Sequence, residues 1–333
     1  MKFHNIFSSG MVFAKGQPIR IYGTGEGSAE ITFAGATQQV TAENGVWYTE
    51  FPPMEYGGPY ALVLKTEEKQ IVLEDIYVGD VYLFAGQSNM EFTIKGGKDD
   101  RSLCETNDML RLFMPHCIDR NNFFSPDSGW VKAEINTAPE WPSIAHFAGL
   151  KLAKEKGIAI GIIVCSQGAS VIESWLPKGV LEEKKIKIPL EEKTVDHRLE
   201  DFSAWNQEGK LYDFMLGQVI PFALTGVVWY QGESDTSPAE GSVYGQELAI
   251  LIDTWRQAFC NPELPFTVIQ IADFDKEATN PGWRMVQQAQ YDIQFSVPNV
   301  ATVISKDVSA CDDIHPPQKY ALSERLANTL LNK

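Results

Sequence analysis

The sequence predicts an α/β protein in which a parallel sheet covered by helices is preceded by a small β-sandwich module. Residues 1–76 contain short alternating apolar and polar runs separated by turn sequences, which is typical of a small sandwich. From Val78 onward, apolar strands alternate with helical stretches, and this alternation is typical of a parallel sheet. We therefore expect a β module in residues 1–76 and an α/β domain in residues 77–333.

The strands of the β module are predicted from their alternation and from the turns between them. Asn44-Gly45 is a strong hairpin signal, because both central residues of a type I′ turn need a positive φ. Gly57-Gly58-Pro59 marks a second turn. The strands expected in this part lie near residues 19–22, 30–33, 39–41, 46–49, 60–64 and 70–73.

The α/β domain is predicted from the change of period after Val78. Residues 158–165 form a nearly continuous apolar run, as expected for a strand that is buried on both faces. A helix over residues 143–156 carries its apolar residues on one face and ends at Gly157. In such sheets, ligands bind at the carboxyl ends of the strands. Further strands are expected over 81–85, 226–230, 266–271 and 300–304, and further helices over 244–259, 284–295 and 317–331.

Two stretches interrupt this alternation. Residues 92–140 are polar and irregular, and residues 178–205 are rich in charged side chains. Such stretches are usually solvated surface. The alternative is that they form a lid that shapes a substrate site, as long loops in compact domains often do.

The charge and the cysteines exclude several classes of function. Acidic residues outnumber basic residues 44 to 28, which gives a formal net charge of −16. This field repels phosphate backbones and anionic lipids, so we expect neither nucleic acid nor a membrane surface as a partner. The five cysteines are scattered and form no C-x-x-C pair, so the sequence predicts neither a zinc cluster nor a disulfide framework.

The amino terminus, MKFHNIFSSG, has no apolar stretch of signal-peptide length. No segment approaches the roughly 20 apolar residues of a membrane span. As given, the sequence predicts a cytoplasmic protein; an extracellular or periplasmic one would require that a signal had been removed. The oligomeric state is left open.

Ser88, in Gly86-Gln87-Ser88-Asn89-Met90, is the candidate nucleophile. A serine hydroxyl becomes reactive when it is held on a sharp turn at a strand end beside a base. Gly86 permits the turn, and the Ser88 N–H can then point at a developing oxyanion. A capping serine in a strand-to-helix loop is the alternative, and Met90 distinguishes the segment from a G-x-S-x-G elbow.

Two further segments follow predicted strands and carry candidate oxyanion donors. Gly168, in residues 166–170, permits close backbone approach and offers its N–H, although an ordinary glycine turn would look the same. Gln231, in residues 230–235, can donate a side-chain N–H to an oxyanion. A helix N-cap at Ser234 or Asp235 is compatible with that role. Asn89, Glu233 and Trp175 are the residues expected to contact the substrate.

His315 is the candidate base among the five histidines of the chain. It follows the last predicted strand, in Asp312-Asp313-Ile314-His315-Pro316. An aspartate three residues before the histidine can reach Nδ1–H through a tight turn, which leaves Nε2 to take the serine proton. Asp312 is therefore the expected orienting acid and Asp313 the alternative. The remaining histidines are His4, His116, His146 and His197.

Taken in chain order, these segments resemble the sialate O-acetylesterase family of the SGNH (GDSL-like) hydrolases. Residues 86–91 resemble its nucleophile block and residues 161–175 its second block. Residues 227–234 are similar to its third block, and Ile314-His315-Pro316 to its last. One departure is that Gly168 is followed by Ala169, where family members often have paired glycines.

The resemblance implies a three-layer α/β/α flavodoxin-like fold with Ser88 as nucleophile and His315 as base. It implies an oxyanion hole made by the Ser88 N–H, the Gly168 N–H and the Gln231 side chain. It implies no metal and no organic cofactor. The expected activity is hydrolysis of O-acetyl esters on sugars, with sialic acid as the first candidate carrier.

Two alternatives stay open at this point. An acetylesterase for xylan- or mannan-derived oligosaccharides would have the same scaffold, because fold does not settle substrate. An arginine near Ser88 would favour sialate, and an open cleft lined by Trp175 or Trp205 would favour a neutral chain. A non-catalytic carbohydrate-binding protein of the same fold is the alternative from a different class.

Overall fold

The computed structural model describes residues 1–118, 123–188, 192–193, 200–309 and 312–332. Within these ranges the chain is mixed α/β, as predicted. His197 and Cys311 lie outside the described residues. The strands are β1 (Lys2–Phe3), β2 (Val12–Ala14), β3 (Ile19–Thr24), β4 (Ser28–Phe33), β5 (Ala36–Thr41), β6 (Val46–Phe51), β7 (Gly57–Lys65), β8 (Gln70–Gly86), β9 (Asn107–Phe113), β10 (Val131–Ala133), β11 (Ile160–Ser166), β12 (Gly226–Tyr230), β13 (Phe266–Ile269) and β14 (Val300–Val303).

The helix predicted over residues 143–156 forms at those bounds. It ends because Gly157 adopts a left-handed conformation, with φ 64°, that closes the last turn. The helix predicted over 317–331 begins later, at Tyr320, where the Asp99 carboxylate accepts the N–H groups of Lys319 and Tyr320. The helices are α1 (Ser88–Glu91), α2 (Ser143–Lys156), α3 (Val180–Glu183), α4 (Glu200–Ser203), α5 (Lys210–Phe214), α6 (Pro238–Ala258), α7 (Pro281–Ser296) and α8 (Tyr320–Leu331).

The large sheet has the strand order β10-β9-β11-β8-β12-β13-β14. The pairs from β9 through β14 are parallel, and β10 pairs antiparallel with β9 at the edge. Strands β2 and β7 also pair with β8, β4 with β7, and β5 with β4. Because β8 lies between β11 and β12, its carboxyl end is flanked on both sides by other strand ends.

Strand β8 joins the two parts of the chain. Its first half pairs antiparallel with β7, and its second half pairs parallel with β11 and β12. The expected boundary between residues 76 and 77 thus falls inside one continuous strand. Strands β1, β3 and β6 form a separate antiparallel sheet. The β-rich amino-terminal part is therefore present, but most of it shares its sheet with the α/β part.

Apolar side chains pack on both faces of the large sheet. Along β8, Leu83 belongs to one core cluster, whereas its neighbours Tyr82 and Phe84 belong to the other. Residues of α6 and α7 complete the first cluster, and residues of α2 and α8 complete the second. A strand covered on both faces carries a nearly continuous apolar sequence, which explains the pattern of residues 158–165. Among the described residues, no helix combines the length and apolar character that a bilayer crossing needs.

Candidate active site

The three segments that follow predicted strands lie side by side at one edge of the sheet. Gly86, the last residue of β8, pairs with Ser166 at the end of β11 and with Tyr230 at the end of β12. The Gln87 N–H donates to the Tyr230 carbonyl at 3.1 Å, and the Gln167 N–H donates to the Gly86 carbonyl at 3.0 Å. The loops that carry Ser88, Gly168 and Gln231 therefore leave the sheet as neighbours.

A tight turn between β8 and α1 presents Ser88. Gly86 has φ 146°, and a Cβ added there would lie 2.0 Å from the Tyr230 carbonyl oxygen. Only glycine therefore fits between the two strands at this position. Ser88 is the first residue of α1, is half-buried, and lines a cavity of about 550 Å³.

His315 meets Ser88 in the loop before α8. Its Nε2 lies 2.8 Å from Ser88 Oγ, and its ring stacks on Phe92 with centroids 5.9 Å apart and an interplanar angle of 14°. Burial holds the pKa of His315 below its usual 6.5, the positive charge of Lys319 lowers it further, and Asp313 opposes both effects. The imidazole is therefore neutral at neutral pH, which is the form a general base needs.

Asp312 and Asp313 are both exposed beside His315. The Asp313 carboxylate accepts the backbone N–H of His315 at 2.9 Å, which closes a local turn. Among the described residues, no side chain accepts a hydrogen bond from His315 Nδ1. The Asp313 carboxylate is thus bonded to the backbone of its own turn. The Asp312 carboxylate makes no such backbone hydrogen bond among the described residues.

The backbone N–H groups of Ser88 and Gly168 donate to no acceptor among the described residues. Both are therefore available for an oxyanion. Ala169, which follows Gly168, has φ 52°, a left-handed conformation that glycine adopts more readily. This geometry accounts for a preference for a second glycine at this turn.

The Gln231 side chain was expected to donate to an oxyanion, but its position differs from that prediction. It is fully buried, and its Nε2 donates to the Ser170 carbonyl at 2.9 Å and to Asp235. Tyr244 donates its hydroxyl to Gln231 Oε1 at 3.0 Å. Because both amide protons are engaged, the side chain fixes the loop around Ser170 instead of offering a free donor.

Asn89 and Glu233 are buried behind Ser88 and do not line the described cavity. Asn89 Nδ2 donates to Glu233 Oε1 at 2.6 Å and to the Ile314 carbonyl at 3.0 Å. In place of the expected contact with substrate, the pair connects the segment of Ser88 to the loop of His315.

Trp175, the third expected substrate contact, lies in the core. It is fully buried, packs edge-on against Trp229 at 5.9 Å, and donates its Nε1–H to Ser170 Oγ. Trp205 is also buried. An indole with no exposed face cannot stack on a sugar, so neither tryptophan forms the open cleft that would favour a neutral chain.

The cavity beside Ser88 is lined largely by residues of the polar stretch 92–140. The sequence predicted this stretch to be solvated surface, with a lid as the alternative. The exposed ring of Phe123 contacts Phe124 edge-on, at 4.8 Å between centroids. Lys95 is ion-paired with Glu140. The adjacent Phe123 and Phe124 within this polar stretch are the sequence feature that could have predicted this wall of the cavity. The described lining comprises Ser88, Glu91, Phe92, Thr93, Lys95, Met114, Phe123, Phe124, Glu140, Pro142 and His315.

Residues 78–332 match the family model described as carbohydrate esterase, sialic acid-specific acetylesterase. Human sialate O-acetylesterase is 24% identical over 324 residues, and the match covers 86% of this chain and 60% of the human protein. The chain thus spans about three fifths of the length of this curated relative. A probable carbohydrate esterase of Arabidopsis thaliana is 26% identical over 266 residues, covering 75% of this chain and 88% of that protein.

Among solved structures, a carbohydrate acetylesterase from Xanthomonas citri superposes with a TM-score of 0.84 at 26% sequence identity. The superposition covers 98% of this chain and 73% of the Xanthomonas chain. The similarity therefore extends over the β-rich part as well as the α/β part.

Proposed function

Because the chain belongs to the carbohydrate esterase family of sialic acid-specific acetylesterases, we propose that it is a serine esterase that releases acetate from O-acetylated sugars. The observation that carries this proposal is the distance of 2.8 Å between Ser88 Oγ and His315 Nε2. A nucleophile and a base at hydrogen-bond distance, at the carboxyl edge of a parallel sheet, form the minimal machinery of acyl transfer.

The reaction proceeds in two acyl-transfer steps. His315 Nε2 takes the proton of Ser88 Oγ, which attacks the acetyl carbonyl, and the N–H groups of Ser88 and Gly168 stabilise the oxyanion. The sugar oxygen leaves with the proton from His315, and the acetyl group remains as an ester on Ser88. Water then attacks this ester by the same route and releases acetate. We assign orientation of the imidazole to Asp312, which would have to turn towards His315 Nδ1 when substrate binds, since no described side chain accepts from that atom. Gln231 supports the oxyanion hole by fixing the Ser170 loop.

O-acetylated sialic acid is the proposed substrate, with xylan- or mannan-derived oligosaccharides as the alternative. The family description and the curated relatives support sialic acid. The arginine that would favour sialate is absent from the described cavity lining. Lys95 is the cation among these lining residues, and it can meet a sugar carboxylate by exchanging its partner Glu140. The burial of Trp175 and Trp205 removes the feature that would have favoured a neutral polymer.

We assign residues 77–333 to the three-layer SGNH hydrolase fold and residues 1–76 to an accessory β module. Helices of two pairs, α2 with α8 and α6 with α7, contribute to opposite core clusters, which supports the layered assignment. The continuity of β8 through both parts supports a structural role for the β module.

Acetate release from O-acetylated sialic acid, compared with acetylated xylo- and manno-oligosaccharides, tests the proposal. Turnover of the sialate ester is expected in the wild type and is abolished in Ser88→Ala. Ser102→Ala, which removes an exposed serine outside the described cavity, is the matched control. A non-catalytic binding protein would release no acetate from any ester, including a simple chromogenic one. Near wild-type turnover in Ser88→Ala would overturn the assignment of the nucleophile.

A further inference from the structure

Lys319 is a fully buried lysine directly behind the Ser88–His315 pair. It precedes the first turn of α8, and its Nζ donates to Asn89 Oδ1. A buried ammonium is costly unless opposite charge and hydrogen bonds compensate it. The reaction outlined above does not use this group, so its position requires another explanation.

The surroundings of Lys319 compensate its charge. Nζ lies 5.5 Å from the ring centroid of Phe92 and 5.7 Å from that of Tyr230, both within cation–π range. The buried carboxylate of Glu233 interacts with the same charge. Phe92 also stacks on His315, so the ring that faces the ammonium supports the imidazole as well.

The Asn89 amide connects Lys319 to both reacting residues. Its oxygen accepts from Lys319 Nζ, and its nitrogen donates to Glu233 and to the carbonyl of Ile314. Asn89 follows Ser88 in the chain, and Ile314 precedes His315. With both ends of the amide engaged, the peptide after the nucleophile is tied to the peptide before the base.

We propose that Lys319 is a positioning residue that, with Glu233 and through the Asn89 amide, holds the His315 loop against Ser88. This inference rests on the proposed esterase function. Without the ammonium, the Asn89 amide loses the donor that fixes its orientation, and its bond to the Ile314 carbonyl loses its support. The buried hydrogen bonds then no longer hold His315 at its distance from Ser88.

The same ammonium has an electrostatic effect on the base. Its charge lowers the pKa of His315, Asp313 raises it, and burial lowers it most. Burial also lowers the pKa of Lys319 to about 8, against the opposing charges of Glu233, Asp99 and Asp313. Lys319 therefore stays charged over the acidic range in which His315 titrates.

Lys319→Met tests the inference, since methionine retains an unbranched apolar side chain and removes the charge. With a chromogenic acetate ester, kcat is expected to fall at least tenfold with little change in KM. The acidic limb of the kcat/KM profile is expected to move up by roughly 0.5–1 pH unit, because a nearby positive charge disfavours protonation of the base. A purely structural role would leave the pH profile unmoved.

Two further variants keep the test decisive. Lys156→Met removes a lysine that pairs with buried Asp80, where the pairing of β8 with β11 begins, and it is expected to lower the Tm without moving the pH profile. Glu233→Gln keeps an acceptor for Asn89 and removes the charge that opposes Lys319, so kcat is expected to fall with little change in KM. If Lys319→Met does not fold, the separate effects of Glu233→Gln on kcat and on KM decide the question.

The inference is overturned if folded Lys319→Met keeps kcat within twofold of the wild type, or if its acidic limb does not move. It is also overturned if folded Glu233→Gln keeps kcat within twofold of the wild type. These outcomes are distinct from failure of the proposed function, in which the wild-type protein itself releases no acetate from any ester.

Discussion

The Nε2 atom of His315 lies 2.8 Å from Ser88 Oγ although 227 positions separate the two residues in the chain. Ser88 follows the central strand β8, and His315 lies in the loop that connects the edge strand β14 to α8. The loop reaches back to the centre of the sheet, where Asn89 and Phe92 contact it. A proton can therefore pass directly between the two side chains, without a bridging water.

The two acidic residues before His315 are expected to have unequal roles. Asp312→Asn is expected to lower kcat by up to roughly 10⁴-fold, the loss that follows when a catalytic histidine adopts the wrong tautomer. Asp313→Asn is expected to stay within about fivefold, because an asparagine oxygen can still accept the His315 N–H. Steady-state kinetics with an acetate ester measure both effects. The reverse order would make Asp313 the orienting acid.

Gly86→Ala is expected to destabilise the protein by about 3 kcal/mol or more and to abolish activity. The added Cβ would lie 2.0 Å from the Tyr230 carbonyl, so β8 and β12 would have to separate beside Ser88. Gly157→Ala is the control, since Gly157 also has a positive φ but meets nothing within 4 Å. Denaturant unfolding measures the free energy of unfolding of both variants. Equal losses of stability would contradict the view that the close approach of β8 and β12 requires glycine at position 86.

Asp235 is expected to hold the second and third loops together. Its buried carboxylate accepts from the Gln231 amide and from the Ile172 N–H, at 3.3 Å for the latter. Asp235→Leu leaves two buried donors without an acceptor, at about 1–3 kcal/mol each, and should lower kcat as Gly168 shifts. Asp235→Asn retains one acceptor and should be the milder change. Equal activity in the two variants would show that the loops do not depend on this carboxylate.

His146 is expected to make the protein acid-sensitive. It is fully buried, and burial lowers its pKa from 6.5 to about 4. Below pH 6.5, His146 becomes protonated in the unfolded chain but stays neutral in the folded chain. About 3 kcal/mol of stability is therefore lost as the pH falls towards 4. His146→Leu should flatten the unfolding free energy over this range.

Urea unfolding at pH 7 and pH 4.5 measures this effect of His146. His116→Leu, at an exposed position, is the matched control and should retain the pH dependence of the wild type. If His146→Leu loses as much stability on acidification as the wild type, the acid sensitivity has another source.

Lys95 is expected to determine the preference for acidic sugars. Lys95→Gln should raise KM for O-acetylated sialic acid about fivefold, the value of roughly 1 kcal/mol for an exposed ion pair. KM for a neutral acetylated sugar should stay unchanged. Lys98→Gln removes an exposed lysine outside the described cavity lining and should change neither value. An equal rise in KM for both substrates would mean that Lys95 shapes the cavity but does not bind the sugar carboxylate.

The sequence predicted the parts of the site that depend on position along the chain. Ser88, Gly168 and Gln231 each follow a strand, and parallel strands place their carboxyl ends at one edge. The burial of Trp175 and the engagement of the Gln231 amide could not be predicted in this way. Both depend on the direction in which a side chain leaves its loop, which packing against other elements decides.

By itself, the sequence determined the α/β class of the fold and the candidate nucleophile and base, because period and turn chemistry are local properties. It missed β9 and β10, which lie within the stretch 92–140 that was predicted to be irregular. Only the tertiary structure decided that β8 runs through both parts of the chain and that Asn89, Glu233 and Lys319 form one buried network. A buried charge can be interpreted only when its partners are known, and these come from three distant segments. Ser88 indicates the class of reaction that we propose, and the packing around it determines how the proposed base, His315, is held.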